Sequence, residues 1–389
     1  MKAQHALGLN LSWTRVTIVF LIDIGILVLA GRWPGDEQVA IYAWWSGVGV
    51  AVLVALIALV TYRQVPISTM WAAWLANQVA DPEAALSRGR TRAVDHHRRF
   101  GREPIGMREH EGRLVTVIAV GGRPVQATGR HRRGLEPAAL PLERLAGGLR
   151  QFDVRLDSID IVSVGTRSAP RDTEDVDFED TPSMPDHRRT WLVLRMDPQH
   201  NVNAVAARDS LAATLTAATE RLAEEIDGRL ISARPLRADE FDAVDEATLA
   251  GLEAAQLSHR LFRTRPEGRV TNFWLSPADI TDENLEHLWY PETAATVVTV
   301  RLTPGGGRTT GVSVLVRYHS AGKLGGNVRS ALNRFVGRRQ LEAVCASLPA
   351  PTAHPRMPVP GRDLQDGEHL VVTVDAVQEY AVPASGTRP

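Results

Sequence analysis

WTRVTIVFLIDIGILVLA, residues 13–30, and IYAWWSGVGVAVLVALIALV, residues 41–60, decide how the rest of this 389-residue chain is read. A bilayer core is crossed by roughly 20 apolar residues at helical rise. Both stretches reach or approach that length, and the second carries no charge. Only residues 31–40 separate them, so the pair predicts a transmembrane hairpin in which each helix satisfies its own backbone hydrogen bonds inside lipid. A signal-peptidase site at Val28–Ala30 is the rival reading. Asp23 inside the apolar run, and a second span directly after it, favour a retained anchor.

Working outward, the flanks set an orientation. The connecting segment holds one Arg against Asp36 and Glu37, whereas Arg63, Arg88, Arg90, Arg92, Arg98, Arg99 and Arg102 follow the second span. Excess Lys and Arg marks the cytoplasmic side, so both termini are expected there. Six of the nine Trp lie in the first fifth of the chain, mostly at span ends, the placement of interfacial anchors. Trp71 and Trp74, one turn apart in ISTMWAAWLANQVADP, predict a short helix lying along the membrane surface. The Arg-rich run 88–102 after it is expected to face anionic lipid.

Three residues of the hairpin are candidates for contact with partner helices. Asp23 is a carboxyl deep in an apolar span, costly unless paired. Gly47 and Ala51 have the small-xxx-small spacing that lets helices approach closely. Trp71 and Trp74 complete the set of partner-contact candidates.

With 44 Lys and Arg against 45 Asp and Glu the net charge is −1, so no basic field points to nucleic acid. The single cysteine, Cys345, excludes an internal disulfide framework and a cysteine-based zinc site. Behind the anchor the pattern turns α/β. Strands are expected at 114–120, 153–165, 191–196, 229–236, 269–275, 296–302 and 311–318, with a hairpin between the last two at Gly305–Gly307. Helices are expected at 142–151, 203–227, 238–255, 283–288 and 328–347. A strand–strand–helix unit recurs, and two copies would build one sheet with its helices on one face. The chain thus divides into a hairpin at 1–66, an interfacial helix and basic linker at 67–112, a cytosolic α/β domain at 113–348, and a Pro-rich linker, final strand and tail at 349–389.

Catalytic signatures are sparse. Asp175 and Asp177 form the D-x-D that a nucleotide-sugar transferase could use for a metal, which makes a membrane-anchored transferase the alternative function. They lie among Glu174, Glu179 and Asp180, as in a solvated charge run. GKLGGN at 322–327 is not a P-loop. No nucleophile elbow or His-Glu-x-x-His is present, and no catalytic, metal or cofactor site is expected.

The order of features does resemble a family. SWTRVTIVFLIDIGILVLA and GVGVAVLVALIALVTYR lead into DHHRRFGREPIGMREHEGRLVTVIAV, LRQFDVRLDSIDIVSVG and TWLVLRMDPQHNVNAVAARDSLAATLTAATERLAEE. Over nearly the whole chain this is similar to the EccE component of the mycobacterial ESX, or type VII, secretion machinery, in the branch that exports PE/PPE proteins. The resemblance implies a non-enzymatic structural subunit of a multi-subunit complex in the bacterial inner membrane, alongside EccB, EccC, EccD and the MycP protease. Closest contact is implied with EccD and EccC, and no active site is carried over.

Overall fold

The structure is a computed structural model that describes residues 7–9, 13–34, 36–62, 65–66, 82–88, 90–98, 103–123, 138–167, 184–185, 187–206, 210–252, 269–306, 309–320, 324–335, 339–351, 359–365 and 367–375.

Strand β1 (Leu7–Leu9) precedes helix α1 (Trp13–Gly31), and α2 (Glu37–Leu59) runs straight into β2 (Val60–Tyr62) and β3 (Val65–Pro66). β1 pairs antiparallel with β2, register Gly8 to Thr61, so the two open ends of the hairpin are tied together. Within α1 the less exposed positions Val16, Val19, Asp23, Ile26 and Ala30 recur every three or four residues; Ala43, Gly47, Ala51, Val54 and Ala58 do so in α2. That spacing is a helix–helix seam. Gln38–Leu59 is long and apolar enough to cross a membrane, while the apolar part of α1, Val16–Gly31, is shorter.

The domain is built on one 11-stranded antiparallel sheet. Its members are β4 (Val94–His96), β5 (Ile105–His110), β6 (Arg113–Gly122), β10 (Ser158–Thr166), β11 (His187–Met196), β12 (Ile231–Pro235), β13 (Arg269–Trp274), β14 (Ala295–Pro304), β15 (Thr310–Ser320), β16 (Asn333–Arg334) and β17 (Arg362–Leu364). The order is β16-β13-β15-β14-β10-β11-β6-β5-β4, with β12 also on β6 and β17 on β15. Two small pairs lie outside it: β7 (Ala138–Pro141) with β18 (Val371–Val374), and β8 (Arg150–Gln151) with β9 (Val154–Arg155). The sheet therefore reaches beyond the 113–348 boundary drawn from sequence, into the linker before it and the segment after it.

The helices of the domain are α3 (Pro82–Ser87), α4 (Leu142–Gly148), α5 (Val202–Ala206), α6 (Leu211–Ile226), α7 (Phe241–Leu249), α8 (Asp282–His287), α9 (Gly326–Ala331) and α10 (Arg339–Ser347). They lie on both faces of the sheet, not on one as the sequence reading expected. The reason is in the strands themselves. β10 is buried from Ser158 to Gly165 and β14 from Ala295 to Leu302, so both of their faces need cover. Ile159, Ile161, Val298 and Val300 pack with Leu145, Leu222 and Leu285 of α4, α6 and α8. Val162, Val164, Trp191 and Val193 pack with Phe241 and Val244 of α7 on the opposite side. On that second side α10 sets Leu341 and Val344 against Leu86 of α3.

With β7, β8, β9 and α5 of the first half set aside, the element order strand, helix, strand, strand, helix, strand, helix occurs twice: β6-α4-β10-β11-α6-β12-α7 and β13-α8-β14-β15-α9-β16-α10. In each half the second hairpin strand sits between the first strand and the other hairpin strand, and the short sixth element pairs with the first strand on its outer side. The halves meet where β10 and β14 run antiparallel, with Ile161 opposite Val300.

Two expected helices are divided. The 203–227 stretch is α5 and α6, because Ser210 caps α6, its hydroxyl accepting from the Ala213 amide at 3.0 Å. The 328–347 stretch breaks after α9: Asn333 and Arg334 pair with β13, and Phe335 donates its amide to the Asn272 carbonyl. Phe335 is then buried beside Trp274 and Leu315, a contact that a continuous helix could not make.

Candidate functional site

Among the described residues, two groups of buried polar side chains bear on what the chain can do. The first is at the hairpin seam. Gly47 lies against Ala30, where an added Cβ would come within 2.4 Å of the Ala30 Cβ. Ala51 is buried one turn further on, at 7 % exposure. Both small residues therefore face the chain's own α1, which is how α1 and α2 come so close. Asp23 shares this seam, and its Oδ1 is buried without a hydrogen-bond partner. Trp71 and Trp74 lie outside the described residues, as do Asp175, Asp177, Gly322 and Lys323. Gly325 and Gly326 open α9, a helix of six residues.

The second is a layer of buried charge on the α7/α10 side of the sheet. Asp160 on β10 is fully buried. Arg301 of β14 donates to it twice, at 2.8 and 2.6 Å, and Arg195 of β11 donates to the same carboxylate. Burial alone would raise the Asp160 carboxyl, but the two guanidiniums outweigh it and hold the group down at about 2. Burial likewise pulls Arg195 below its usual value, with the Asp160 carboxylate opposing. A guanidinium stays charged regardless, so the pair is ionic.

Nearby, Arg108 of β5 forms a bidentate pair with Asp245 of α7, both bonds at 2.9 Å, and stacks 5.0 Å from the Phe241 ring. Arg90 adds a third bond to Asp245 at 2.9 Å. Arg90 and Arg98, which the sequence reading assigned to a lipid-facing run, instead pair with Asp245 and Glu220 within the fold.

These arginines also converge on the last turn of α10 and the chain just past it. Arg195 donates to the Leu348 carbonyl at 2.8 Å, Arg301 to Ala346 at 3.1 Å, and Arg108 to Pro349 at 3.1 Å. Arg317 donates to the Ser347 hydroxyl at 3.3 Å and to the Thr248 carbonyl. The last carbonyls of a helix lack intrahelical partners and carry its negative end, so cations there are favourable. Arg195 stands opposite Ser158, with Asp160 two residues on; Arg317 stands opposite Val297, with Thr299 two residues on. The second half thus has a threonine where the first has its acid. Among the described residues Arg317 has no carboxylate partner, and burial lowers it to about 9.

This layer is not arranged for acid–base work. Burial, helped by Arg317, lowers His319 to about 3, so its ring is neutral near pH 7. Burial raises the Cys345 thiol to about 11, leaving little thiolate. Among the described residues, no group of three His, Cys, Asp or Glu could hold a metal ion. Sequence reasoning did not single out Asp160, Arg195, Arg301, Arg108, Asp245 or Arg317. A signal was present, since WLVLRM, TVVTVRL and VSVLVRY each carry one Arg within a run otherwise free of charge.

Residues 184–275 match the family described as "Putative type VII ESX secretion system translocon, EccE". The chain is 46 % identical over 412 aligned residues, covering 99 % of both chains, to the ESX-5 secretion system protein EccE5 of Mycobacterium marinum. It is 45 % identical to the Mycobacterium tuberculosis EccE5, over 98 % of both. Similarity to the ESX-1 secretion system protein EccE1 of M. tuberculosis is lower, 28 % over 54 % of this chain and 46 % of that one. Identity at this level along the full length, on a fold with an apolar helix pair ahead of an antiparallel α/β domain, places the chain in the EccE family of type VII secretion system components.

Proposed function

We propose that this chain is a non-enzymatic structural subunit of the inner-membrane complex of a type VII secretion system, supporting the assembly and stability of the export machine. The observation that carries the reading is the 46 % identity over 99 % of the chain to an ESX-5 secretion system protein. In this reading α1 and α2 cross the bilayer, residues 31–40 form a short outer loop, and both termini with the α/β domain lie in the cytoplasm. The pairing of β1 with β2 supports it, because it brings the start of α1 and the end of α2 to the same level. EccB, EccC, EccD and MycP are the partners, with EccD and EccC in closest contact. Asp23, Trp71 and Trp74 are the contact candidates, Gly47 and Ala51 being taken up by the chain's own α1.

Topology is tested in spheroplasts with an impermeant maleimide, in a Cys345→Ala background. Gly35→Cys should label in intact spheroplasts and Ser168→Cys only after lysis. The opposite pattern would sink the topology. Purifying the tagged chain from its own membranes with no other membrane subunit attached would sink the subunit role.

A further inference from the structure

Asp23 poses a problem that the hairpin alone cannot solve. Gly47 lies against Ala30 in an antiparallel pair, so counting seven residues along each helix puts Asp23 level with Val54. Its neighbours on the seam are Val19, Ile26, Ala51 and Val54, none of which offers a hydrogen-bond donor. At 1.5 Å per residue Asp23 is about 15 Å from Trp13 and about 12 Å from Gly31, beyond the reach of either interface. Its Oδ1 is buried and unpaired, yet the residue is half-exposed, so the carboxyl group opens at the rim of the seam. Lipid offers no donor at that depth, and an unpaired polar group there costs several kcal/mol.

We infer that Asp23 is the docking point for a transmembrane helix of a different chain, one that carries a donor side chain (Lys, Arg, His, Asn, Gln, Ser or Thr) at the same depth. This rests on the reading of α1 and α2 as membrane spans. A second copy of this chain does not fit. The polar side chains of its spans are Thr17, which bonds its own helix at the Trp13 carbonyl, Ser46, which bonds Ala43, and those near the ends; level with Asp23 it offers only another carboxyl, which could pair only if one of the two held a proton. The exposed apolar residues Phe20, Ile22 and Ile24 around Asp23 supply the packing surface on which such a helix would lie.

The test uses the full chain, tagged and extracted with its complex in a mild detergent, with alkaline extraction to verify membrane insertion. Interhelical hydrogen bonds in membranes are worth amounts that correspond to about 3- to 15-fold in association. Asp23→Leu should therefore lower retention of the chain in the complex by about that factor while remaining inserted. Asp23→Asn, which can still bond, should stay within about 2-fold of the wild type. A photoreactive benzoylphenylalanine at Ile22 or Ile24 should cross-link to a helix of another subunit. Equal retention of Asp23→Leu in a complex that the wild type does join would overturn this inference and leave the subunit role standing. Cross-links confined to lipid or to a second copy would also overturn it. A wild-type chain that joins no complex would overturn both.

Discussion

Replacing Asp160 by Asn keeps the shape of the side chain and removes the charge that holds two buried guanidiniums. Arg195 and Arg301 would then be left about 95 % or more buried with no counter-charge, since their remaining acceptors are backbone carbonyls. Breaking a buried ion pair from one side costs about 3–5 kcal/mol. A large domain loses about 2 °C of melting temperature per kcal/mol, so Asp160→Asn should lower Tm by roughly 6–10 °C. Acid should mimic the change. The folded-state carboxyl titrates at about 2 against 3.8 for the free group. The folded value is the lower one, so the stabilisation is fully present above about pH 4 and is lost as pH falls from there towards 2. It amounts to about 2 kcal/mol, and Asp160→Asn should lack it. Circular dichroism melts of the full chain in detergent at pH 7 and at pH 3 read both effects. A Tm for Asp160→Asn within 1 °C of wild type at pH 7 would refute the reasoning, because it would mean the arginines do not need the carboxylate.

Two further outcomes follow from local geometry. Gly47→Val puts a side chain where the Ala30 Cβ already lies, costing about 1–3 kcal/mol of overpacking; limited proteolysis of the hairpin in detergent should speed up about 5- to 100-fold, whereas Gly49→Val, with open space around its Cβ, should leave the rate unchanged. Cys345, raised from 9.0 to about 11, should react with Ellman's reagent near pH 7.5 about 100-fold more slowly in the folded chain than in denaturant, and equal rates would show that the thiol is not held as the structure has it.

The strands that sequence located well carry β-branched, aliphatic or aromatic runs between turn-forming segments: β6, β10, β11, β13, β14 and β15 all lie within about five residues of their expected bounds. β4 and β5 were missed because their segment, VDHHRRFGREPIGMREH, reads as a charged linker; Arg108 and Asp95 are charged residues with partners inside the fold, bonded to Asp245 and to the Ala238 amide. The cover on both faces shows in adjacent apolar residues such as Ile161 and Val162 of β10 and Val297 and Val298 of β14, yet nothing local says which helix goes to which side. The charged layer was legible only as isolated arginines. Asp160 meets Arg195 across 35 residues of chain and Arg301 across 141, distances over which a single sequence carries no pairing signal. On the hairpin, spacing made Gly47 and Ala51 candidates for contact with a partner helix, whereas Gly47 packs against Ala30 of α1.

The arginines of β5, β11 and β14 reach main-chain oxygens at the end of α10 and just past it, and this sets what substitution can and cannot disturb there. A carbonyl is present whatever the side chain, so the grip on residues 346–350 is blind to residue identity: small replacements at Ala346 or Ala350 leave every acceptor in place. What the clamp reads is the path of the backbone. An insertion or deletion between Val344 and Pro351 would shift the Ala346, Leu348 and Pro349 oxygens off their three donors together, stranding several buried charges in one step. Variation among relatives in this short stretch should therefore run to changes of residue and stop at changes of length.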